Sequence, residues 1–259
     1  MRAQYAKSLF RSQSGKAGCG AGQIQIICQI YFHVSSFIEI KILRNTYFEI
    51  VRNICWQPDG TYLRDMSIKS ELKKCRICAD RFAATETQHR PRPVVWFRNG
   101  ARILLASQAP GARAHASERP FTDPSGDRLR ERLGVSSETF YAQTKFAIVH
   151  IGFCFHGYDA KGSDIPQPRI CAETWRDRVL TYVGPTQLRI YIGGYAQKWH
   201  LKTRRGVTET VRDQPKLDPD VFALPHPSWR NTAWMRKNPW FEAMVLPALK
   251  TRVKEVLDA

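Results

Sequence analysis

Four short apolar runs, each halted by a turn signal, constrain this chain more tightly than anything else in it. The run at 101–106 stops at Ser107-Gln108-Ala109-Pro110-Gly111, and the run at 146–151 leads into a Gly/Pro-rich loop over 157–168. The run at 188–192 closes at Gly193-Gly194, and that at 221–224 ends in Pro225-His226-Pro227-Ser228. Segments this short and this apolar read as strands buried on both faces. Helical spacing fills the intervals. Leu129 and Leu133 share a face behind a start capped by Ser125 with Asp127, Trp175, Val179 and Tyr182 do so within 172–183, and 195–201 forms a short helix. A last helix over 239–257 turns Phe241, Leu249, Val253 and Val256 inward, with Pro247 as a candidate kink. This alternation predicts a parallel sheet layered between helices, whose loops after the first, second and fourth strands converge at its carboxyl edge, where open α/β sheets bind ligands.

Upstream of this pattern the composition changes. Residues 1–65 hold half of the isoleucines but only Pro58 of the 15 prolines. A boundary is therefore expected: an N-terminal extension over 1–65, disordered or preceding a natural start at Met66, and one domain over 66–259. An Ile-rich hairpin between 24 and 54 is the rival reading. The uncharged run between Lys16 and Glu39 carries Gln23, Gln25, Gln29 and His33, too polar for a spanning helix, and no signal-cleavage pattern follows it. A cytoplasmic monomer without membrane contact is expected. The net charge of +17 points to a polyanionic partner, because Lys and Arg displace counterions from phosphates. Seven cysteines, an odd number, argue for thiols or metal ligands in a reducing compartment over a disulfide framework.

Four of those cysteines form two pairs. Cys75-x-x-Cys78 sits on an expected helix over 69–79, and Cys154 and Cys171 flank the Gly/Pro loop. Two cysteines separated by two residues can bind one metal centre that a distant pair completes. Zinc and buried free thiols are the alternatives. Separately, the turn at 120–126 sets the aromatic Phe121 and the carboxylate of Asp123 just ahead of a helix.

The order of these motifs is Cys-x-x-Cys, SQAPG, RPF, Cys154 and Cys171 about a proline-rich loop, then HPSWRN. It resembles the uracil-DNA glycosylase superfamily, and within it the bacterial branch that carries an iron-sulfur cluster (family 4-like). The resemblance spans about 72–257. It implies an α/β fold, a three-layer α/β/α sandwich around a four-stranded parallel sheet, and a 4Fe-4S cluster of structural role on Cys75, Cys78, Cys154 and Cys171.

The resemblance also implies a set of roles. Gln108 and Ala109 would hold a flipped base through their amides, and Phe121 would stack on it. His226 would donate to the uracil O2, where negative charge develops as the glycosidic bond breaks. Ser228, Trp229, Arg230 and Asn231 fall in a loop that presses on DNA, with Trp229 as a wedge, and Arg236 and Lys237 add phosphate contacts. Asp123 is the candidate to orient water, or else a turn former before Pro124. No lysine lies in these motifs, which implies hydrolysis to an abasic site without strand cleavage. Two positions depart from the family pattern: Ser107 stands where Gly is usual, and His150 falls where the family has a uracil-reading Asn. Glu118 also occupies a position comfortable for Gly. The expected function is a monofunctional DNA repair glycosylase acting on uracil or another deaminated base in DNA. The alternative is a non-catalytic, metal-stabilised nucleic-acid-binding protein of the same fold.

Overall fold

The four apolar runs become the four strands of one sheet in the computed structural model, which describes residues 63–259. They are β1 (Ile103–Ala106), β2 (Phe146–Ile148), β3 (Leu188–Ile192) and β4 (Val221–Leu224), all parallel, in the order β2-β1-β3-β4. Side chains alternate along each strand. Ile103 and Leu105 of β1 enter one core, and Leu104 and Ala106 enter the other.

Helices cover both faces. On the first lie α4 (Pro124–Leu133), α5 (Ser137–Tyr141) and α10 (Leu246–Asp258), through Leu129, Leu133, Phe140, Leu249 and Val253. On the second lie α1 (Leu63–Lys73) and α6 (Arg169–Val183), through Leu72, Trp175 and Val179. The architecture is thus the expected α/β/α sandwich on a four-stranded parallel sheet. Shorter helices complete the described chain: α2 (Ala79–Ala83), α3 (Ala112–Ser117), α7 (Gly193–Leu201), α8 (Val207–Arg212) and α9 (Thr232–Lys237). The proposed extension over 1–65 and its rival hairpin lie almost wholly outside the described residues.

Several expected boundaries move, each for a local reason. The helix expected over 69–79 breaks at Lys73, where Cys75 N donates to Leu72 O in a tight turn, so the Cys75–Cys78 pair lies between α1 and α2. Asp123, not Ser125 with Asp127, caps α4: its Oδ1 accepts from Gly126 N at 3.2 Å, and Pro124 supplies a first residue that needs no partner for an N–H. The last helix starts as a π turn over Phe241–Val245, because Pro247 has no N–H to return to the carbonyl of Ala243.

The expected second strand, 146–151, is assigned only to Ile148, yet its pairing runs on. Val149 N donates to Leu105 O at 2.8 Å, Ile151 N to Ser107 O at 2.8 Å and Gly152 N to Gln108 O at 2.9 Å. Behind this extension Arg176 of α6 is fully buried. Its Nη1 donates to the carbonyls of Val149 at 2.9 Å and His150 at 2.6 Å, and its Nη2 meets His200 Nε2. His200 in turn stacks flat on Tyr191, with ring centroids 4.3 Å apart. Two carbonyls and an imidazole thus receive the guanidinium, and they fix the backbone on which His150 sits.

Replacing Arg176 with Met keeps the volume but strands two buried carbonyls. Arg176→Met is expected to lower stability by about 2–4 kcal/mol, read as a lower urea midpoint; an unchanged midpoint contradicts the bracing role. Burial, with Arg176 adding, depresses the imidazoles of His200 to about 2 and His150 to about 3 from an ordinary 6.5. In the unfolded chain both protonate near 6.5, so the unfolded state binds more protons below that pH. Stability is therefore full above about pH 6.5 and drains away as pH falls toward 3, by roughly 1.4 kcal/mol per pH unit for each histidine. Equal urea midpoints at pH 7 and pH 5 contradict this.

Candidate active site

The loop after β1 carries the first part of the site. Gln108 and Ala109 emerge half-buried from β1, and Gly111 starts α3, which ends at Glu118 in the left-handed conformation at φ 54°. The Glu118 position is thus one that glycine would suit, as the sequence indicates. Phe121 is also left-handed, at φ 55°, an uncommon state for an aromatic residue. Three contacts hold it there. Its carbonyl accepts from Tyr141 Oη at 2.9 Å and from Arg130 Nη1 at 3.3 Å, and Gly126 packs so close that a Cβ would lie 1.9 Å from that oxygen.

Asp123 follows at once, and both of its carboxylate oxygens are engaged. Besides the bond from Gly126 N, Oδ2 accepts from Ser125 Oγ at 2.5 Å. The carboxylate is fixed in place, and its charge favours protonation of His226. Asp164, from the Gly/Pro loop, is a residue that sequence reasoning passed over. Burial raises its pKa, the Arg230 guanidinium opposes that, and Asp123 adds to it, which sets Asp164 in electrostatic reach of both.

His226 supplies the third wall. Ser228 N donates to its Nδ1 at 3.2 Å, and a backbone N–H can only donate, so Nδ1 holds a lone pair and the proton sits on Nε2. Burial lowers the imidazole's pKa, Asp123 opposes that and Arg132 reinforces it, so the ring is a neutral Nε2–H donor near pH 7. The loop is tied down by Asn231 Nδ2 donating to His226 O at 2.7 Å and by Arg132 Nη1 donating to Pro225 O at 3.3 Å.

His226, Gln108 and Asn231 line one cleft of about 470 Å³ together with Gly193, Gly194 and Lys198. The last three were not foreseen as site residues, although the Gly-Gly pair at the end of β3 was the available signal. No lysine lies in the motifs themselves, but α7 carries Lys198 into this cleft. Around the rim, Ser228 caps the turn that presents Trp229, which is 67% exposed with the Arg230 guanidinium 5.9 Å from its ring centroid. Arg236 and Lys237 are exposed at the end of α9.

Phe121 and His150 come together, but not in the lining of this cleft. Both are buried, with ring centroids 5.5 Å apart. The two positions marked by sequence as departures touch each other: Ser107 Oγ and His150 Nδ1 lie 2.6 Å apart.

The four cysteines converge elsewhere, below the sheet edge. Cys75, Cys78, Cys154 and Cys171 line one largely apolar pocket with Phe153 and Trp175. Trp175 Nε1 donates to Cys75 Sγ at 3.3 Å and Phe153 N to Cys171 Sγ at 3.5 Å, contacts that favour negative charge on sulfur. Burial raises the thiol pKa of Cys154 and Cys78, and lifts that of Cys171 to about 11. Among the described residues no three ligands already stand at metal-holding spacing, so the sulfurs converge without closing a coordination shell. The donor set, four soft sulfurs with N–H donors in an apolar lining, fits a soft-metal centre. No helix among the described residues is long and apolar enough to cross a membrane.

A family model described as the uracil DNA glycosylase superfamily matches residues 94–250. The matched span runs from just before β1 into α10, covers more than half of the chain, and holds every cleft residue above. The chain belongs to the uracil DNA glycosylase superfamily.

Proposed function

We propose that this protein releases uracil, or another deaminated base, from DNA by hydrolysing its N-glycosidic bond. The observation that carries this is His226: a neutral imidazole, its proton on Nε2, held by its neighbours at a cleft on the sheet's carboxyl edge. As the bond between the base nitrogen and C1′ breaks, the electron pair leaves with the base. A neutral donor at the uracil O2 stabilises that charge only as it appears. Water then adds its oxygen to C1′ and loses a proton to solvent, and the departed base anion takes one up from solvent, so that neutral base and a C1′ hydroxyl remain. Asp123, immobilised as a helix cap, would offset the positive sugar and orient that water.

Gln108 and Ala109 would meet the base with backbone amides, and Phe121 would stack on it. Trp229 would fill the gap left in the duplex, while Ser228, Arg230, Asn231, Arg236 and Lys237 contact phosphates. The four cysteines would hold a 4Fe-4S cluster, or zinc, which when bound cross-links the α1–α2 turn to the chain after β2 and to α6. A second reading, a nucleic-acid-binding protein without catalysis, is favoured by one observation: Phe121 packs on His150, both buried, and neither lines the cleft that holds His226.

A duplex carrying one uracil separates the two readings. The expected result is free uracil and an intact strand bearing an abasic site, with borohydride trapping no adduct on Lys198. His226→Ala is expected to lower the single-turnover rate by about 10²–10³-fold; an equal rate removes the assigned role, and binding without any base release favours the second reading. For the cluster, protein purified without oxygen is expected to be brown, with matched iron and sulfide, and Cys154→Ser to lose both colour and several degrees of Tm. A colourless protein with stoichiometric zinc replaces the cluster assignment.

A further inference from the structure

We propose that His156 is an outer donor to the metal centre: one ring N–H of this buried imidazole binds a sulfur of the centre and raises its reduction potential. The proposal rests on the reading of the four cysteines as ligands of an iron-sulfur cluster.

His156 is a polar side chain whose hydrogen is unspent. It is 3% exposed, and both Nδ1 and Nε2 are buried without a partner. An imidazole carries a proton on at least one ring nitrogen in either tautomer, so at least one buried donor is left over. Such a group costs stability unless something accepts from it. The ring lines the same pocket as Cys75, Cys78, Cys154 and Cys171. The rest of that lining is leucine, isoleucine, phenylalanine and proline, apart from Trp175, whose indole N–H can only donate and already does so to Cys75. Sulfur is therefore the acceptor that the side chains of this pocket supply.

Two neighbours fix the ring. Phe82 meets it edge-on, with centroids 5.3 Å apart, and Gly152 lies so close that a Cβ there would come within 2.8 Å of His156 Cε1. The nearby His89 offers no relief, because both of its nitrogens are engaged: Nδ1 meets Thr87 Oγ1 at 2.7 Å and Nε2 meets Phe155 O at 2.9 Å.

A donor from His156 extends a pattern that the sulfurs already show. Trp175 Nε1 donates to Cys75, Phe153 N to Cys171, and the backbone N–H of Arg92 to Cys154. Three separate segments thus present N–H groups to sulfur. An electron added to an iron-sulfur cluster increases the negative charge on its sulfurs, and a hydrogen-bond donor stabilises that charge, so the potential rises with each donor. His156 makes the reduced state easier to reach than the same four thiolates against a purely apolar wall would.

The test titrates the holoprotein, purified without oxygen, with dithionite as the one-electron source through mediators, and reads the reduced fraction by visible absorption. His156→Leu is expected to lower the reduction equilibrium constant about tenfold, the size of one hydrogen bond, which for one electron is a fall of about 59 mV in midpoint. His156→Gln and His156→Asn place an amide N–H near the positions of Nε2 and Nδ1, and one of the two is expected to recover part of the shift, which identifies the donating nitrogen. A midpoint unchanged in His156→Leu overturns the assignment. Wild type gives a reading that needs no variant: with nitrogen-15 histidine, the reduced cluster is expected to show a weak nitrogen coupling in electron-nuclear double resonance, carried through the N–H···S bond. No coupling overturns the assignment, and so does the strong coupling of a nitrogen bound to iron, which would make His156 a ligand. Wild-type protein without iron overturns it through a separate failure, that of the cluster reading itself.

Discussion

The hydrogen bonds between β1 and the chain that leaves β2 continue past the point where both strands end, and the site depends on that continuation. Three further backbone bonds hold residues 149–152 beside residues 105–108. They bring Ser107 against His150, place Gln108 at the mouth of the cleft, and send Cys154 down toward the sulfur pocket. Arg176 secures the same stretch from the other side of the sheet. A buried guanidinium with carbonyl partners is an expensive way to fix a backbone. Its placement directly under His150 shows where rigidity is concentrated.

A second constraint is the turn between α3 and α4. Phe121 is held in a strained backbone state by Tyr141, Arg130 and the bare Cα of Gly126, and Asp123 caps α4 in the following two residues. Strain of this kind persists where surrounding contacts over-determine it. The aromatic ring and the carboxylate are therefore oriented by one compact turn, so a change at Gly126 disturbs both. The capping role and a catalytic role for Asp123 are compatible, since each carboxylate oxygen has a second lone pair.

Much of this was legible in sequence because the strands are short, apolar and sharply terminated. The runs at 188–192 and 221–224 match β3 and β4 residue for residue, and the layered parallel sheet follows from their alternation with helices. Helix starts were less legible. Asp123, Ser125 and Asp127 all carry side chains able to cap, and only the folded turn shows that Ser125 donates into Asp123 while Asp127 pairs with Arg130. Lys198 and Asp164 were missed because neither belongs to a local motif: one arrives on a helix face, the other on a long loop. The Ser107–His150 contact was hidden for the same reason. Each residue read alone looked like an impairment, and their 43-residue separation concealed that they form a pair.

A neutral imidazole at His226, with its proton on Nε2, is the chemical core of the site. Nitrogen-15 NMR of the histidine-labelled protein tests this most directly, because the ring nitrogens report tautomer and charge separately. The structure predicts that near pH 7 His226 shows a lone pair on Nδ1 and a proton on Nε2. An imidazolium, or a proton on Nδ1, at His226 would contradict it.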